Sequence, residues 1–250
     1  WMFATSLKTN AGVYASPPQI FPWPPRFDSY YEAVINNPLT LRSIFNSAVV
    51  GTGVMFLTLL LAAPAAYGLA RLQLRLAPLI MLMLLITQLL PAIVIATPLF
   101  VAFSRINLLN SYGALILADT TFALPFAVIV LRPFFLTVPR ELEAAAKIDG
   151  CNQFEAFWRV ILPLVRPGLI TVAVFAFLMG WGEFLFAMTL STNESVQPAT
   201  AALNKFIGQY GTEWNNLMAV ASTVALPIVI VFASLQRYIV SGLTAGSVKE

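Results

Sequence analysis

Long uncharged runs dominate the chain. Bracketed by Lys, Arg, Asp and Glu, they cover residues 43–70, 77–104, 111–132, 167–190 and 214–237. One acid, Asp119, lies inside the third run and one, Glu183, inside the fourth. A helix rising ~1.5 Å per residue needs about 20 apolar residues to cross a hydrocarbon layer ~30 Å thick. The pattern predicts five spanning helices, and so an all-α, polytopic membrane protein with one transmembrane domain over residues 1–250. The apolar stub Trp1-Met2-Phe3, which ends at Lys8, reads as the exit of a sixth span lying upstream; the alternative is a short interfacial anchor. No basic start or cleavage pattern of a signal peptide is visible. Residues 15–25, with Pro17, Pro18, Pro22, Pro24 and Pro25, read as an extended, semi-rigid loop. Residues 191–213 read as a loop holding a short helix within 201–210.

Composition supports the membrane reading. Of 250 residues, 59% are hydrophobic and 10% charged, against about 25% charged in soluble domains. That excludes soluble enzymes, disordered proteins and nucleic-acid binders. The chain has no histidine, which removes histidine-ligated haem or zinc and a histidine general base; no metal site is expected. Its one cysteine, Cys151, permits no internal disulfide.

The basic residues divide unevenly. Arg71, Arg75, Arg132, Arg140, Lys147, Arg159, Arg166, Arg237 and Lys249 fall on one side of the predicted spans; Lys8, Arg26, Arg42, Arg105 and Lys205 fall on the other. The richer side is cytoplasmic by the positive-inside rule. This places the C-terminus in the cytoplasm of a multi-pass inner-membrane protein.

The longest inner loop carries the strongest local signals. Over 139–150 it is rich in helix formers, with Pro139 suited to a first helical position, Glu141 and Glu143 near the positive helix end, and Gly150 as a stop. Asn152 followed by Glu155 makes a capping box for a second helix. Phe154, Phe157, Trp158 and Ile161 then fall at i, i+3, i+4 and i+7, which predicts one apolar stripe. Pro163 ends that helix. On these residues alone, the stripe is either an interfacial helix in the headgroups or a docking element for a cytoplasmic partner.

The spacing from Glu143 to Pro163 resembles the EAA loop of binding-protein-dependent ATP-binding-cassette importers: a Glu-Ala-Ala triplet, three residues, Gly, nine residues, Ile-x-Leu-Pro. Aligned on Gly150, the triplet falls on Ala144-Ala145-Ala146 and the closing residues on Val160-Ile161-Leu162-Pro163. Ala144 stands where Glu is usual, with Glu143 one residue earlier, and Val160 stands where Ile is usual. Asn46-Ser47, Ala66-Tyr67-Gly68-Leu69-Ala70-Arg71, Pro98-Leu99-Phe100, Phe122-Ala123-Leu124-Pro125 and the ending Gln236-Arg237-Tyr238 through Gly246 are similar to the second permease of maltose-type carbohydrate importers. Trp181-Gly182-Glu183-Phe184 resembles a Trp-Asn-Glu-Phe stretch, with Gly182 replacing Asn.

The resemblance implies a type I importer fold and a permease rather than an enzyme. Its implied partners are a homologous sister permease forming a heterodimer, two ATPase subunits, an extracytoplasmic solute-binding protein and membrane lipid. The chain has no Gly-x4-Gly-Lys-Ser/Thr phosphate loop. It is expected to bind no cofactor, with ATP and magnesium held by the ATPases. The implied ATPase-coupling residues, within loop 139–163, are Glu143, Ala145, Ala146, Lys147, Asp149, Gly150, Phe154, Phe157 and Trp158. The tail 241–250 is expected to be flexible and to reach the same partners.

Prolines 64, 91, 98, 125 and 227 lie inside apolar runs, where each removes a helix hydrogen bond. Polar groups within spans usually face protein or water. Gln88, Asp119, Trp181 and Glu183 are therefore the substrate-path candidates, with Phe184 and Phe186 as further aromatic faces beside Glu183. The expected cargo is a sugar or related polyol. Amino-acid, phosphate and polyamine importers also carry such loops, so a non-sugar solute is the nearest alternative. A lone ion-coupled carrier using Asp119 and Glu183, or a structural subunit of a membrane enzyme, are the others.

Overall fold

The computed structural model describes residues 1–17, 20–208 and 211–244, and they are overwhelmingly helical. Three short helices, α1 (Met2–Ser6), α2 (Asn10–Val13) and α3 (Asp28–Tyr30), precede the first long one, α4 (Pro38–Arg71). Pro38 opens α4 at the position where a missing N–H costs nothing. Asn37 Oδ1 accepts from the free N–H groups of Leu39 at 3.1 Å and Thr40 at 3.3 Å. At ~1.5 Å per residue α4 is ~51 Å long.

The second predicted span is not one helix. It divides into α5 (Ala77–Thr87) and α6 (Ala92–Arg105), which meet at 94°. Pro91 supplies no N–H, and Leu90 before it is disfavoured in the α region. The halves are only ~16 and ~21 Å long. α7 (Tyr112–Thr137) is continuous despite Pro125 and Pro133. The inner loop folds as α8 (Arg140–Ile148), α9 (Gln153–Ala156), a π-helical turn over Phe157–Ile161 and α10 (Leu162–Leu164).

The fourth predicted span also breaks. α11 (Arg166–Gly182) stops before Glu183, and α12 (Leu185–Leu190) follows. The segment Gln153–Leu164 meets α11 at 81°. The loop 191–213 holds α13 (Ala199–Ala202), a 3-10 turn over Leu203–Phe206, and strands β1 (Ile207–Gly208) and β2 (Gly211–Thr212), paired antiparallel. Its expected helix thus sits a few residues early; Tyr210 lies outside the described residues, as does Pro18 of the proline-rich loop. α14 (Trp214–Thr244) closes the described chain. By length and hydropathy α4, α7 and Trp214–Ser234 each suffice to cross a membrane, and the total reaches five if each bent pair is one span.

Two compact units emerge. One comprises Trp1–Val50, Ala96–Leu115 and Trp181–Val231. In it Asn46, fully buried, donates to the carbonyls of Ser195 at 3.2 Å and Gln197 at 3.0 Å and accepts from the Tyr112 hydroxyl at 2.7 Å. Ser47 accepts from the Ala199 amide at 3.0 Å, and Arg42 donates to the Ser195 carbonyl at 2.8 Å. The start of α4 therefore anchors the loop 191–213. Asn46→Leu leaves the Gln197 carbonyl and the Tyr112 hydroxyl without partners, at about 1–3 kcal/mol each, while the Ser195 carbonyl keeps Arg42. Faster hydrogen exchange over 195–206, with no change over 140–163, is the expected result.

The other unit contains Gly51–Ile95 and Ile116–Gly180. Its core joins the small-residue face of α4 (Ala62, Ala63, Ala66, Ala70, with Tyr67) to Leu131, Phe135 and Val138 near the end of α7, and to Phe157, Ile161 and Val165. Elsewhere in this unit a Cβ on Gly180 would lie 3.1 Å from the Gly51 Cα, so α4 and α11 approach backbone to backbone.

Candidate coupling site

The helix–turn–helix predicted in the inner loop is present, and its joints are tightly specified. Pro139 is the residue before α8 rather than its first, with ψ 137°. Glu141 and Glu143 lie in the first turn and Lys147 in the last, as the helix dipole favours. At the far end the Cys151 amide donates to the Ala146 carbonyl at 2.9 Å and the Gly150 amide to Lys147 at 3.1 Å. This is a Schellman motif, with Gly150 at φ +91°. Nothing lies within 4 Å of where a Gly150 Cβ would sit, so the demand for glycine is conformational, not steric. Two residues later the Asn152 side chain accepts from the Glu155 amide at 2.9 Å, and the Glu155 carboxylate accepts from the Asn152 amide at 3.0 Å. The capping box is complete.

The single stripe is not. The Leu162 amide reaches back five residues to the Phe157 carbonyl, which widens the turn just before Pro163, a residue with no N–H to return to Arg159. The predicted stripe divides between two faces. Phe157 is 5% exposed and Ile161 fully buried, while Phe154 is 69% and Trp158 47% exposed. Phe157 sits 4.9 Å from the Tyr67 ring and 6.2 Å from Phe135, centroid to centroid. The expectation that Phe157 faces a partner is thus corrected: it belongs to the core. Phe154 and Trp158, 6.0 Å apart and edge to face, point outward.

Glu143 is also committed inside the chain. One carboxylate oxygen accepts from the Tyr67 hydroxyl at 2.9 Å and from the Gln153 amide at 2.7 Å; Gln153 also donates to the Tyr67 oxygen. The other oxygen lies 3.8 Å from Arg71 Nε, and Lys147 Nζ is 3.7 Å from the first. Arg71, the last residue of α4, further donates to the Val138 carbonyl, and Arg132 donates to the Leu69 carbonyl at 3.3 Å. The network ties α8 and α9 to the end of α4.

Burial disfavours the Glu143 charge, but hydrogen bonds from Tyr67 and Gln153 and the charges of Lys147 and Arg71 outweigh it, holding the carboxyl below its ordinary 4.5. A depressed value means that the attachment is at full strength above pH 4.5 and weakens as the pH falls through the lower, folded-state value. A nitroxide on Cys151, the lone cysteine, is expected to keep its spectrum from pH 7 to 5 and to gain mobility only below pH 4.5. Mobility that increases between pH 7 and 5 would assign the change to another group.

The remaining loop residues divide by exposure. Ala146 is buried; Ala145, Lys147, Asp149 and Gly150 are exposed. Sequence reasoning missed Tyr67, Arg71 and Gln153 as members of the network. It also missed Leu142 and Ile148, 41% and 87% exposed. Two apolar residues on an otherwise polar helix, one of them just before a glycine turn, were the available signal.

The substrate-path candidates divide between the two units. Gln88 and Asp119 belong to one unit, Trp181 and Glu183 to the other. Gln88 donates to the Phe122 carbonyl at 3.1 Å, in the turn before Pro125. Asp119 is 4% exposed. Trp181 is buried and donates to the Val224 carbonyl at 3.2 Å. Glu183 accepts from the amides of Leu185, Phe186 and Ala187 at 2.8, 2.7 and 3.1 Å. Its carboxylate caps α12, a structural task that the sequence left open. As for the tail, residues 241–244 continue α14, and 245–250 lie outside the described residues.

Residues 58–245 match the family model described as binding-protein-dependent transport system inner membrane component. The chain is 36% identical over 249 residues to the sulfoquinovosyl glycerol transport system permease of Agrobacterium fabrum, covering 100% of this chain and 87% of that one. It is 35% identical over 251 residues to the trehalose transport system permease of Mycobacterium tuberculosis, covering 100% and 90%. It is 33% identical over 249 residues to a diacetylchitobiose uptake system permease of Streptomyces coelicolor, again covering 100% and 90%. A solved bacterial ABC transporter involved in the import of the acidic polysaccharide alginate shares the fold, with a TM-score of 0.80, 21% identity and coverage of 95% of this chain and 88% of that one.

Proposed function

The chain belongs to the binding-protein-dependent transport system inner membrane components, and from that premise we propose that it is one permease of an ATP-driven sugar importer, paired with a sister permease to form half of the translocation path. It is a multi-pass inner-membrane protein and a transport component rather than an enzyme, working with ATPase and binding-protein subunits. The carbohydrate class follows the relatives, whose names specify transport of sulfoquinovosyl glycerol, trehalose and diacetylchitobiose. ATP and magnesium are held by the ATPase subunits.

One observation carries the coupling role. A module clamped to α4 by Glu143 and Phe157 nonetheless turns Leu142, Ile148, Phe154 and Trp158 outward. Apolar side chains exposed on a rigid loop fit burial against a protein partner. The uneven distribution of Lys and Arg supports a cytoplasmic position for this loop and the C-terminus, on the side of the ATPases. On the opposite side, the anchored loop 191–213 is the surface offered to the binding protein.

The test is reconstitution with the sister permease, ATPase and binding protein. Sugar-loaded binding protein is expected to stimulate ATP hydrolysis, and shortening residues 195–212 is expected to abolish that stimulation while the complex still assembles. Stimulation by no sugar, but by an amino acid or polyamine, would overturn the carbohydrate assignment. Undiminished stimulation after shortening would overturn the role of the loop.

A further inference from the structure

Two hollows lie beside the Glu143 network, and Gln153 lines both. The first, about 490 Å³, is walled by Leu59, Leu60, Ala63 and Pro64 of α4 and by Phe154 and Trp158. The second, about 330 Å³, is walled by Arg71, Arg140, Lys147, Glu143 and Ala144. It presents three cations against one carboxylate, and Ala144 contributes only a methyl group. The Arg71 side chain is 6% exposed, and its Nε has no hydrogen-bond partner, lying 3.8 Å from the Glu143 carboxylate.

Leu60, Pro64, Tyr67 and Arg71 follow one another at steps of four, three and four residues along one face of α4, with Ala63 beside Pro64. An apolar groove thus runs down a spanning helix and ends at a basic hollow. From Leu59 to Arg71 the helix rises ~18 Å, about one leaflet of a ~30 Å hydrocarbon layer. A water-soluble ATPase does not reach Leu59 and Leu60 at that depth. A molecule with an anionic head and an apolar chain of one-leaflet length matches both hollows.

We propose that this face holds an anionic phospholipid, its phosphate among Arg140, Lys147 and Arg71 and one acyl chain along Leu60, Ala63 and Pro64. The acyl chain fills the hollow between α4 and the rings of Phe154 and Trp158, so it braces the sides of these rings that line the hollow and leaves their other sides to the ATPase. The proposal rests on the membrane reading of α4 but not on the identity of the cargo.

The experiment is lipid analysis of the assembled importer, purified in mild detergent from cells containing phosphatidylglycerol, cardiolipin and phosphatidylethanolamine. The unmodified complex is expected to retain phosphatidylglycerol or cardiolipin through washing with inorganic phosphate. Arg140→Gln with Lys147→Gln is expected to weaken that retention roughly 25-fold, from about a factor of five per basic residue. Leu60→Trp narrows the groove at an exposed position and is expected to reduce retention without touching the charges. Equal anionic lipid in all three complexes would overturn the proposal. So would release of the lipid by inorganic phosphate, which would mark a simple anion site. Loss of the ATPase with unchanged lipid would assign the basic hollow to that partner, and unchanged lipid in Leu60→Trp alone would assign the groove to the sister permease. A complex that keeps its lipid yet responds to no sugar would refute the cargo assignment and leave this site standing.

Discussion

Phe157→Ala is expected to destabilise the inner-loop module by about 3–5 kcal/mol, the usual cost of removing a buried aromatic side chain. The ring is 5% exposed and wedged between Tyr67 and Phe135. The same core is built largely from Ala62, Ala63, Ala66 and Ala70 of α4, whose methyl groups cannot swing into the space. The cavity therefore stays open, and the high end of the range applies. In detergent the variant is expected to unfold at a visibly lower temperature even without an ATPase present. Trp158→Ala, at an exposed position, is expected to leave that temperature unchanged and to weaken ATPase co-purification instead. A Phe157→Ala protein with unaltered thermal stability and a lost ATPase would return Phe157 to the partner-facing surface.

Glu143→Ala is expected to be as damaging, by a different route. The substitution removes one acceptor shared by Tyr67 and Gln153 and strands the Arg71 charge, whose side chain is 6% exposed. Breaking a buried ion pair from one side costs about 3–5 kcal/mol, because the remaining charge loses its counter-ion and keeps only the Val138 carbonyl and little water. Insertion into the membrane should be normal, since the spans are untouched. Transport should fall to background as α8 detaches from α4. Adding Arg71→Met is expected to restore part of the stability, since the stranded charge is then gone. Failure of the double variant to recover any would mean that the hydrogen bonds of Tyr67 and Gln153, rather than the ion pair, hold the module.

The local signals of the inner loop were legible because each is chemically self-contained. Gly150, and Asn152 with Glu155, fix a turn and a cap within a few residues of themselves, and both act as read; Pro163 does not end the helix as expected, because the π-helical turn before it absorbs its missing N–H and the chain stays helical to Leu164. The stripe was not legible, since a 3.6-residue period groups Phe154 and Trp158 with Phe157 and Ile161, and only packing against Tyr67 and Phe135 draws the second pair inward and leaves the first outside. Tertiary bonds were beyond reach for the same reason: nothing near Glu143 in sequence announces that Tyr67 and Arg71 will meet it. The spans were legible as apolar runs, but a run of charge-free residues does not reveal a 94° bend. Pro91 marked where the bend would come, not that the two halves would diverge so far. Glu183 looked like a functional acid because a charge within a span is costly. Its three amide partners exist only because α11 stops one residue earlier.

Between the Schellman turn and the capping box lie only Asp149 through Asn152, and nearly every backbone donor there is engaged. The joint therefore has almost no slack. A displacement imposed on Trp158 is not absorbed by a yielding hinge. It must travel as a rigid tilt into Tyr67 and the last turn of α4, about half the thickness of the hydrocarbon layer away from the groove's far end. Stiffness, more than contact area, is what this short element contributes: a tie rod rather than a tether.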